Sequence, residues 1–448
     1  VQRGSLPSYL ATMFGTMISG VAFVLMFGDV TWPSHIRLWD SPMQAVIAAL
    51  ACVAAVMVVR ARRRMKAVLL TGFVGYMTAM LFAIGGAPDL ALTQTLVETV
   101  TLVVFILVIR RLPSHFSHRP WLRSRLSRIA LGAGVGLTTM VLAWFASAAR
   151  IHEPVTVHYP EEVYQFGYGK NIVNVTLVDT RAWDTIGEIS VLLAAATGIA
   201  SLIFLRNRNE NKVRSSLASA VRSPQIWDSQ RTDKISAIAR PEGLVDPKRG
   251  RVWLAGSLTL ASVRRSLIFE LGARIIFHPL LVFSLFLLFS GHNLPGGGFA
   301  GGVLAGIALT IRYLAGGRYE LALASREIRP GVLLGSGMAI SVLAALTPVV
   351  FGGTILQTTV WDFHLPIFND VHLASALFFD IGVYLIVIGL VLDILTSLGS
   401  EIDRQAEAQG EQAPMVAYDD PTELSDDSIG GVDMRSDEPL AATEGSVE

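Results

Sequence analysis

An acidic side chain lies in the middle of an apolar stretch, and a carboxylate in such a place can carry protons or pair with small cations. Glu98 is near the centre of the run PDLALTQTLVETVTLVVFILVIR, residues 88–110. A run of about 20 mostly apolar residues can cross a bilayer. A carboxylate at its centre costs about 2.5–3.5 kcal/mol, so it generally faces a protein interior or a hydrated path. Gln94 and Thr101 share its helical face. We predict that Glu98 moves protons or cations, the alternative being a protonated Glu bonded to a neighbouring helix.

Asp89 opens the same run, directly after Pro88. On a straight helix it points away from Glu98, nine residues further on, so the two carboxylates cannot chelate one ion together. An acid in the first turn also suits the helix N-terminus electrostatically. A role in transport and a purely capping role are therefore equal alternatives for Asp89.

Two further acids lie inside later apolar stretches. Glu188 ends the sequence Thr185-Ile-Gly-Glu188, which matches a capping box. On these residues alone, that structural role is slightly favoured over transport. Asp380 is about 12 Å inside the last apolar stretch by helical rise, with Tyr384 one turn further on. It is deep enough to need a partner, and it is a second candidate for translocation.

Glu270, Arg274 and His278 follow one another at intervals of four residues. This spacing predicts that they line one helical face and climb about 12 Å along it. Histidine titrates near neutrality and can relay protons. An internal Glu–Arg ion pair, with His278 against a partner helix, is the equal alternative.

The glycine-rich segment from His292 to Gly302, HNLPGGGFAGG, separates two apolar stretches. Gly297 and Gly301, like Gly298 and Gly302, are four residues apart, and small residues at this spacing let helices approach closely. Packing is therefore the expected role of these glycines. A broken entrance with exposed backbone dipoles is the alternative.

These residues require membrane helices to position them. Apolar residues make up 52% of the chain and charged residues only 16%, against about 25% in ordinary globular proteins. The hydropathy pattern predicts an all-α, polytopic membrane bundle of about ten transmembrane helices. The predicted spans are 8–27, 42–59, 67–86, 88–109, 126–148, 184–205, 267–290, 296–315, 331–351 and 372–398.

Basic residues predict the orientation of these spans. With ten spans, 31 of the 36 Lys and Arg residues fall on one side, which by the positive-inside rule is cytoplasmic. Both termini should then be cytoplasmic, and the spans divide into groups of six and four. The predicted organisation is a six-span module (1–205), a basic cytoplasmic linker with a possible interfacial segment (206–265), a four-span module (266–399) and a disordered acidic tail (400–448).

The sequence offers little for catalysis or redox chemistry. The single cysteine, Cys52, cannot form an intrachain disulfide, and no Cys/His cluster predicts a zinc or iron–sulfur site. No phosphate-binding, dinucleotide-binding, zinc-protease or hydrolase motif is present. We therefore expect no cofactor, no metal site, no nucleic-acid binding and no enzymatic activity in this chain. The given sequence begins with Val1, and we expect no cleavable signal peptide in it.

Several of these segments resemble the Mrp-type multisubunit sodium/proton antiporters. GAPDLALTQTLVETVTLVVFILVIRRLP and NIVNVTLVDTRAWDTIGE are similar to the C-terminal part of the family's large A subunit. GHNLPGGGFAGGVLAGIALTIRYLAGG and FFDIGVYLIVIGLVLDIL are similar to the B subunit. The chain thus resembles the C-terminal module of the A subunit fused to a B subunit, without the large antiporter-like domain with which the A subunit normally begins. Related modules occur in membrane-bound hydrogenases and, more distantly, in respiratory complex I.

The resemblance implies a subunit of a sodium/proton antiporter in the bacterial inner membrane. Its partners would be other antiporter subunits, including an antiporter-like multi-helix subunit, together with Na⁺, H⁺ and the lipid bilayer. Glu98 and Glu188 fall on acidic positions of the family's motifs, which favours ion translocation for Glu188 over its capping role. Two alternatives stay open: a subunit of a redox-driven pump whose cofactors lie in its partners, and a scaffold that moves no ions.

Overall fold

The computed structural model describes residues 6–28, 39–109, 115–116, 122–148, 153–217, 245–246, 250–251, 254, 266–325, 328–365 and 369–399. Most of the predicted linker and the whole predicted acidic tail lie outside these ranges. Within them, ten helices are long and apolar enough to cross a membrane. The predicted all-α bundle of ten spans is therefore confirmed.

The ten long helices follow the predicted spans closely. They are α1 (Leu6–Phe27), α2 (Pro42–Arg60), α3 (Arg64–Ile84), α4 (Pro88–Ile109), α5 (Leu122–Ala148), α8 (Ala182–Leu217), α9 (Leu267–Ser290), α10 (Gly298–Ser325), α11 (Pro330–Val350) and α12 (Ala376–Ile394).

Shorter elements connect them. Between α5 and α8 the chain forms a 3₁₀ turn (Val155–Val157), α6 (Tyr159–Gln165), α7 (Ile172–Val175) and a wide π-type turn (Thr176–Thr180). A second π-type turn, Leu395–Gly399, follows α12. The strands are β1 (Val245–Asp246), β2 (Gly250–Arg251), β3 (Val360–Leu365) and β4 (Asn369–Ala374), and they pair antiparallel as β1 with β2 and β3 with β4.

The two predicted groups of spans pack on each other along two seams. In the first group α3 packs between α2 and α4, and α1 packs on α5. In the second, α10 packs on both α9 and α12, and α11 pairs with α12. Helix α4 meets α10, and α8 meets α12. A single apolar cluster spans both seams, with Leu96, Ile189, Ala300, Phe379 and Ile386 among its buried members.

The start of the last span differs from the prediction. Asn369–Ala374 is a strand instead of helix, with Asp362 opposite His372 and His364 opposite Asp370, and α12 begins only at Ala376. Polar and apolar residues alternate through this region, and that period of two belongs to a strand. The predicted span boundary at residue 372 is therefore wrong by about one helical turn.

Two helices also depart from their predicted limits. Helix α8 runs on to Leu217, into the segment predicted as linker. Helix α10 extends past residue 315 but is interrupted at Gly317, whose φ of 72° is left-handed and favours glycine. The break brings Glu320 back onto Arg312, with Arg312 Nε 2.7 Å from Glu320 Oε1.

Candidate functional site

Glu98 lies in the groove between α3 and α4. A Cβ atom at Gly75 of α3 would overlap its carboxylate, so the absence of a side chain there makes room for the acid. The Gln94 amide donates to Glu98 Oε2 at a long 3.4 Å, and the neighbouring Thr99 and Tyr76 hydroxyls are 2.9 Å apart. Glu98 is partly buried and forms no ion pair among the described residues. It is thus an unneutralised carboxylate with a weak hydrogen bond inside a span.

Asp89 faces the opposite way, as its spacing predicts, and lies where the two groups of spans meet. Its Oδ1 accepts hydrogen bonds from the Asn171 amide and from the Gly296 backbone N–H, both at 3.1 Å. Because the Gly296 amide belongs to the turn that leads into α10, Asp89 bridges helices instead of only capping its own. The simple capping role is therefore incomplete as an account of Asp89.

Asn171 ties three segments together. Besides Asp89, its Nδ2 donates to the carbonyl oxygens of Gly291 (3.0 Å) and Leu294 (2.9 Å). Its Oδ1 accepts from the first backbone N–H groups of α7, so the same side chain is also the N-cap of that short helix. Asn171 is 7% exposed, so these groups have little water to replace the bonds.

Asp380, on α12, faces the start of α10. Gly298 N–H donates to its Oδ1 at 3.0 Å, and Asn174 Nδ2 donates to its Oδ2 at 3.1 Å. The carboxyl is 5% exposed and forms no ion pair among the described residues. The positive end of the α10 dipole offsets part of its negative charge. Asp380 therefore has the partners that its depth requires.

We call this region the junction: Asp89, Asn171, Asn174, Asp380 and the turn Gly291–Gly298. Asn171 and Asn174 were not predicted from the sequence. Both residues belong to the segment NIVN between two spans, where a pair of asparagines reads as ordinary loop composition. Their spacing of three residues at a helix start was the available indication, since it places both amides on one side of the short helix.

The predicted glycines serve both of the roles considered for them. Side chains at Gly301 and Gly302 would collide with Ser284 O of α9 and with Val387 and Tyr384 of α12, as expected for close packing. Gly297, in contrast, has a left-handed φ of 96° and turns the chain so that the flanking amides point at carboxylates. Backbone dipoles at this turn are thus in use, and they bind Asp89 and Asp380.

His292 closes the extramembrane side of the junction. Its Nε2 is 2.9 Å from Gly167 O, and Asp179 nearby accepts a hydrogen bond from Thr358 N–H at 3.2 Å. Burial lowers the pKa of His292, against the opposing effects of the Gly167 carbonyl and of Asp179. Burial raises the pKa of Asp179, while hydrogen bonds from Thr358 and the charge of His292 oppose the rise.

Glu188 lies outside the junction and does not form the predicted capping box. Helix α8 begins at Ala182, three residues before Thr185, and the Thr185 hydroxyl donates to Leu177 O at 2.7 Å. The wide turn Thr176–Thr180 leads directly into α8, so no helix start exists at Thr185. Glu188 is exposed on the outer face of the helix.

Glu270, Arg274 and His278 do not share one environment. Glu270 is fully buried, whereas Arg274 and His278 are exposed. The buried side of α9 passes through Ala273, Phe277 and Ser284, and the four-residue spacing drifts away from it. The three residues therefore differ in exposure along the helix. A transport role for these three residues stays a prediction.

The described residues include no group of three or more His, Cys, Asp or Glu side chains arranged to hold a metal ion. The carboxylates that the structure brings together at the junction bind neutral N–H groups instead. Its chemistry is therefore that of carboxylates held by neutral hydrogen-bond donors.

Three domain families match the sequence in order. Residues 49–114 match a family described as the D subunit of MBH, and residues 121–219 match the E subunit of MBH. Residues 268–393 match a domain related to the MnhB subunit of Na⁺/H⁺ antiporters.

Two curated proteins and one solved structure are also similar to the chain. The A/B subunit of a probable K⁺/H⁺ antiporter of Rhizobium meliloti is 29% identical over 360 residues, which are 78% of this chain and 33% of that protein. The A1 subunit of the Na⁺/H⁺ antiporter of Staphylococcus haemolyticus is 33% identical over 222 residues, 46% of this chain and 28% of the relative. The solved Mrp complex from Dietzia sp. DQ12-45-1b superposes with a TM-score of 0.69 at 27% identity, covering 89% of this chain and 39% of the matched chain.

The chain is thus similar to A and A/B subunits of cation/proton antiporters, to an MnhB-related domain and to a chain of a solved Mrp complex. It is a multi-pass membrane protein and spans about a third of the length of the curated relatives it matches.

The junction draws on all three matched regions of the chain. Asp89 belongs to the first matched region, Asn171 and Asn174 to the second, and the turn Gly291–Gly298 with Asp380 to the MnhB-related region. The A-like and B-like parts therefore share one buried polar site, in addition to the apolar seams between their helices.

Proposed function

We propose that this chain is one membrane subunit of an antiporter complex that exchanges cations for protons, and that its Glu98 binds a proton and a cation alternately. The proposal depends on the surroundings of the Glu98 carboxylate in the α3–α4 groove. This carboxylate is partly buried and accepts one long hydrogen bond from Gln94. A carboxylate without a fixed positive partner keeps its charge available for an exchangeable one. The names of the relatives support Na⁺ or K⁺ as the cation.

Conservative substitution of Glu98 tests this function in the assembled complex. Glu98→Gln keeps the size of the side chain and its place over Gly75 but removes the charge and the titration. We expect Na⁺- and K⁺-dependent proton exchange in inverted membrane vesicles to fall at least tenfold, while complex assembly is unchanged. Glu161→Gln, on the short extramembrane helix α6, is the matched control and should leave exchange intact. Normal exchange by an assembled Glu98→Gln complex would support the scaffold alternative.

Glu188 supports the presence of partner subunits. It is exposed on α8, six residues from the helix start, or about 9 Å into the span by helical rise. A carboxylate facing lipid at that depth is costly. A neighbouring subunit with a hydrogen-bond donor or a basic group against α8 removes this cost, in line with the antiporter subunits expected as partners.

The location follows from charge and relationship. The uneven distribution of Lys and Arg supports cytoplasmic termini, and the bacterial relatives support the cell membrane. A tag at either terminus should be accessible to protease in inverted vesicles and protected in intact cells. Protection in inverted vesicles would reverse the proposed orientation.

The two matches to families described as MBH subunits favour one second candidate, a redox-driven ion pump whose cofactors lie in partner subunits. Absorbance of the purified complex separates the two functions. An iron–sulfur or flavin spectrum that responds to reductant would favour the pump. A colourless complex that exchanges cations for protons in closed vesicles, driven by an ion gradient alone, supports the antiporter.

A further inference from the structure

We propose that Asp380 and Asn174 form a proton-binding site, separate from Glu98, in which the Asn174 amide turns over when Asp380 takes up a proton. The proposal deepens the antiporter function by adding a second proton site at the contact between the A-like and B-like parts. Only the role of the bound proton in exchange rests on the antiporter function, because proton binding to Asp380 can be measured directly.

The Asp380 carboxyl is surrounded by neutral hydrogen-bond donors. Each oxygen accepts one hydrogen bond from a neutral donor, Gly298 N–H at 3.0 Å and Asn174 Nδ2 at 3.1 Å. A buried carboxylate without a cationic partner is costly, and such groups tend to take up a proton instead. The α10 dipole and the two N–H donors have the opposite effect, because they stabilise the charged form of Asp380. These opposing effects bring the charged and neutral forms of Asp380 closer in free energy.

The Asn174 amide is only half satisfied by hydrogen bonds. Asn174 is 7% exposed, and its Oδ1 is buried with no hydrogen-bond partner. Buried side-chain oxygens normally have one. Covalent geometry places Oδ1 next to the Nδ2 atom that contacts Asp380, and turning the amide over exchanges the two positions with almost no change of shape.

A proton on Asp380 supplies the missing partner. Uptake from water forms one O–H bond on Asp380 Oδ2, and this hydroxyl donates to Asn174 Oδ1 once the amide has turned. When Asp380 is charged, the Asn174 amide nitrogen donates to it and the amide oxygen is unpaired. When Asp380 is protonated, the amide oxygen accepts from it and the amide nitrogen is unpaired. Each state leaves one amide atom unpaired, so neither is strongly preferred. Two states of similar free energy are what a site that binds and releases a proton requires.

Close packing argues for a proton over a metal cation. A Cβ at Gly297 would lie 2.5 Å from Asn174 Nδ2, and one at Gly298 would overlap the Asp380 backbone oxygen. A sodium or potassium ion needs several oxygen ligands and the space between them, whereas a proton needs no additional volume.

Other titratable groups do not substitute for Asp380 here. Helix α11 carries none, and α10 has its first at Arg312. In α8, Asp184 and Glu188 are exposed, and the next titratable residue, Arg206, comes 18 residues after Glu188. Those of α9 are in its first half, Glu270, Arg274 and His278, far along the helix from the turn. The nearby ones are Asp89, Asp179 and His292 of the adjoining segments and Tyr384 one turn along α12, whose hydroxyl is 2.9 Å from the Ser284 hydroxyl. No described hydrogen bond or ion pair joins these four to the Asp380 carboxyl.

Infrared difference spectroscopy of the purified complex tests the proposal. The spectrum should gain the carbonyl band of a buried carboxylic acid on acidification, and Asp380→Asn should lose that band. Asp393→Asn, an acid substitution near the other end of the same helix, is the control and should keep it. Asn174→Leu preserves approximate size but removes the acceptor, so the band should move to higher frequency, as for a carboxylic acid without a hydrogen bond.

Each outcome decides the question. An assembled Asp380→Asn complex with the wild-type band would overturn the proposal. If that variant does not assemble, Asn174→Leu decides alone, because an unshifted band would show that the amide does not accept the proton's hydrogen bond. Glu98→Gln should lower exchange at least tenfold but keep the Asp380 band. Loss of exchange without any Asp380 band therefore rejects only the second site, and the Asp380 band with normal exchange in Glu98→Gln rejects only the role of Glu98.

Discussion

The groove at Glu98 and the junction at Asp380 place the same functional group in contrasting surroundings. Glu98 is partly buried, with one hydrogen bond of 3.4 Å inside its own helix. Asp380 is 5% exposed and held by donors from two other segments at 3.0 and 3.1 Å. A loosely held carboxylate can accept a cation and release it, whereas an enclosed one can exchange only a proton. The depth of an acid in a membrane span thus indicates less about its role than the number of fixed donors around it.

Asn171→Ala should have the largest effect on this contrast, because it dismantles the junction without touching Glu98. The variant loses the N-cap of α7 and leaves Gly291 O and Leu294 O without their donor. Caps contribute about 1 kcal/mol and an unpaired buried acceptor costs about 1–3 kcal/mol. We expect a destabilisation of about 2–4 kcal/mol, measured as a lower midpoint of thermal unfolding of the solubilised complex.

A neighbouring asparagine supplies the control. Asn293 is exposed and accepts one hydrogen bond from Lys170 N–H, so Asn293→Ala should shift the midpoint little. Asn171→Asp should be at least as damaging as Asn171→Ala, because it sets a carboxylate oxygen against three acceptors. Equal midpoints for Asn171→Ala and Asn293→Ala would show that the junction does not stabilise the contact between the two groups of spans.

The junction also shows where sequence reasoning ends. Ten spans and the side-by-side position of Gln94 and Glu98 follow from local periodicity, which the hydropathy pattern carries directly. The partners of Asp89 and Asp380 are 82 and 206 residues away in the chain, and spacing contains no information about such contacts. From the sequence, Asn171 and Asn174 therefore have the composition of ordinary loop residues. The strand that pairs with the one containing Asp362 and His364 was likewise predicted as the start of the last span.

Gly75→Ala should have an intermediate effect, confined to the groove. The new methyl group collides with the Glu98 carboxylate, which can swing away because it is held by only one long hydrogen bond. The cost falls on the position of the acid more than on the fold, so exchange should fall about tenfold, equivalent to about 1.4 kcal/mol, with little change in unfolding midpoint. Cation-dependent proton exchange in vesicles measures it.

Gly132→Ala in α5 is the matched helical glycine, since a Cβ there meets nothing within 4 Å. It should leave both exchange and the unfolding midpoint unchanged. A Gly75→Ala complex with full exchange would mean that Glu98 tolerates displacement, and the groove would then be a packing feature only.

His292→Gln should have the smallest effect and should appear only on acidification. Burial lowers the pKa of His292 below its ordinary value of 6.5, so the unfolded chain takes up this proton before the folded one does. The contribution of neutral His292 to the free energy of unfolding is therefore complete above pH 6.5. It is lost as the pH falls through 6.5 toward the pKa of the folded state. The slope from one proton cannot exceed about 1.4 kcal/mol per pH unit, and the attraction of Asp179 reduces it. Between pH 7.5 and 5.5, about one unit on either side of the ordinary pKa, the unfolding midpoint should fall less steeply in the glutamine variant than in the wild type. His158→Gln, which changes an exposed residue beside α6, is the control and should keep the wild-type slope. A wild-type slope in His292→Gln would show that His292 does not contribute to the pH dependence of stability.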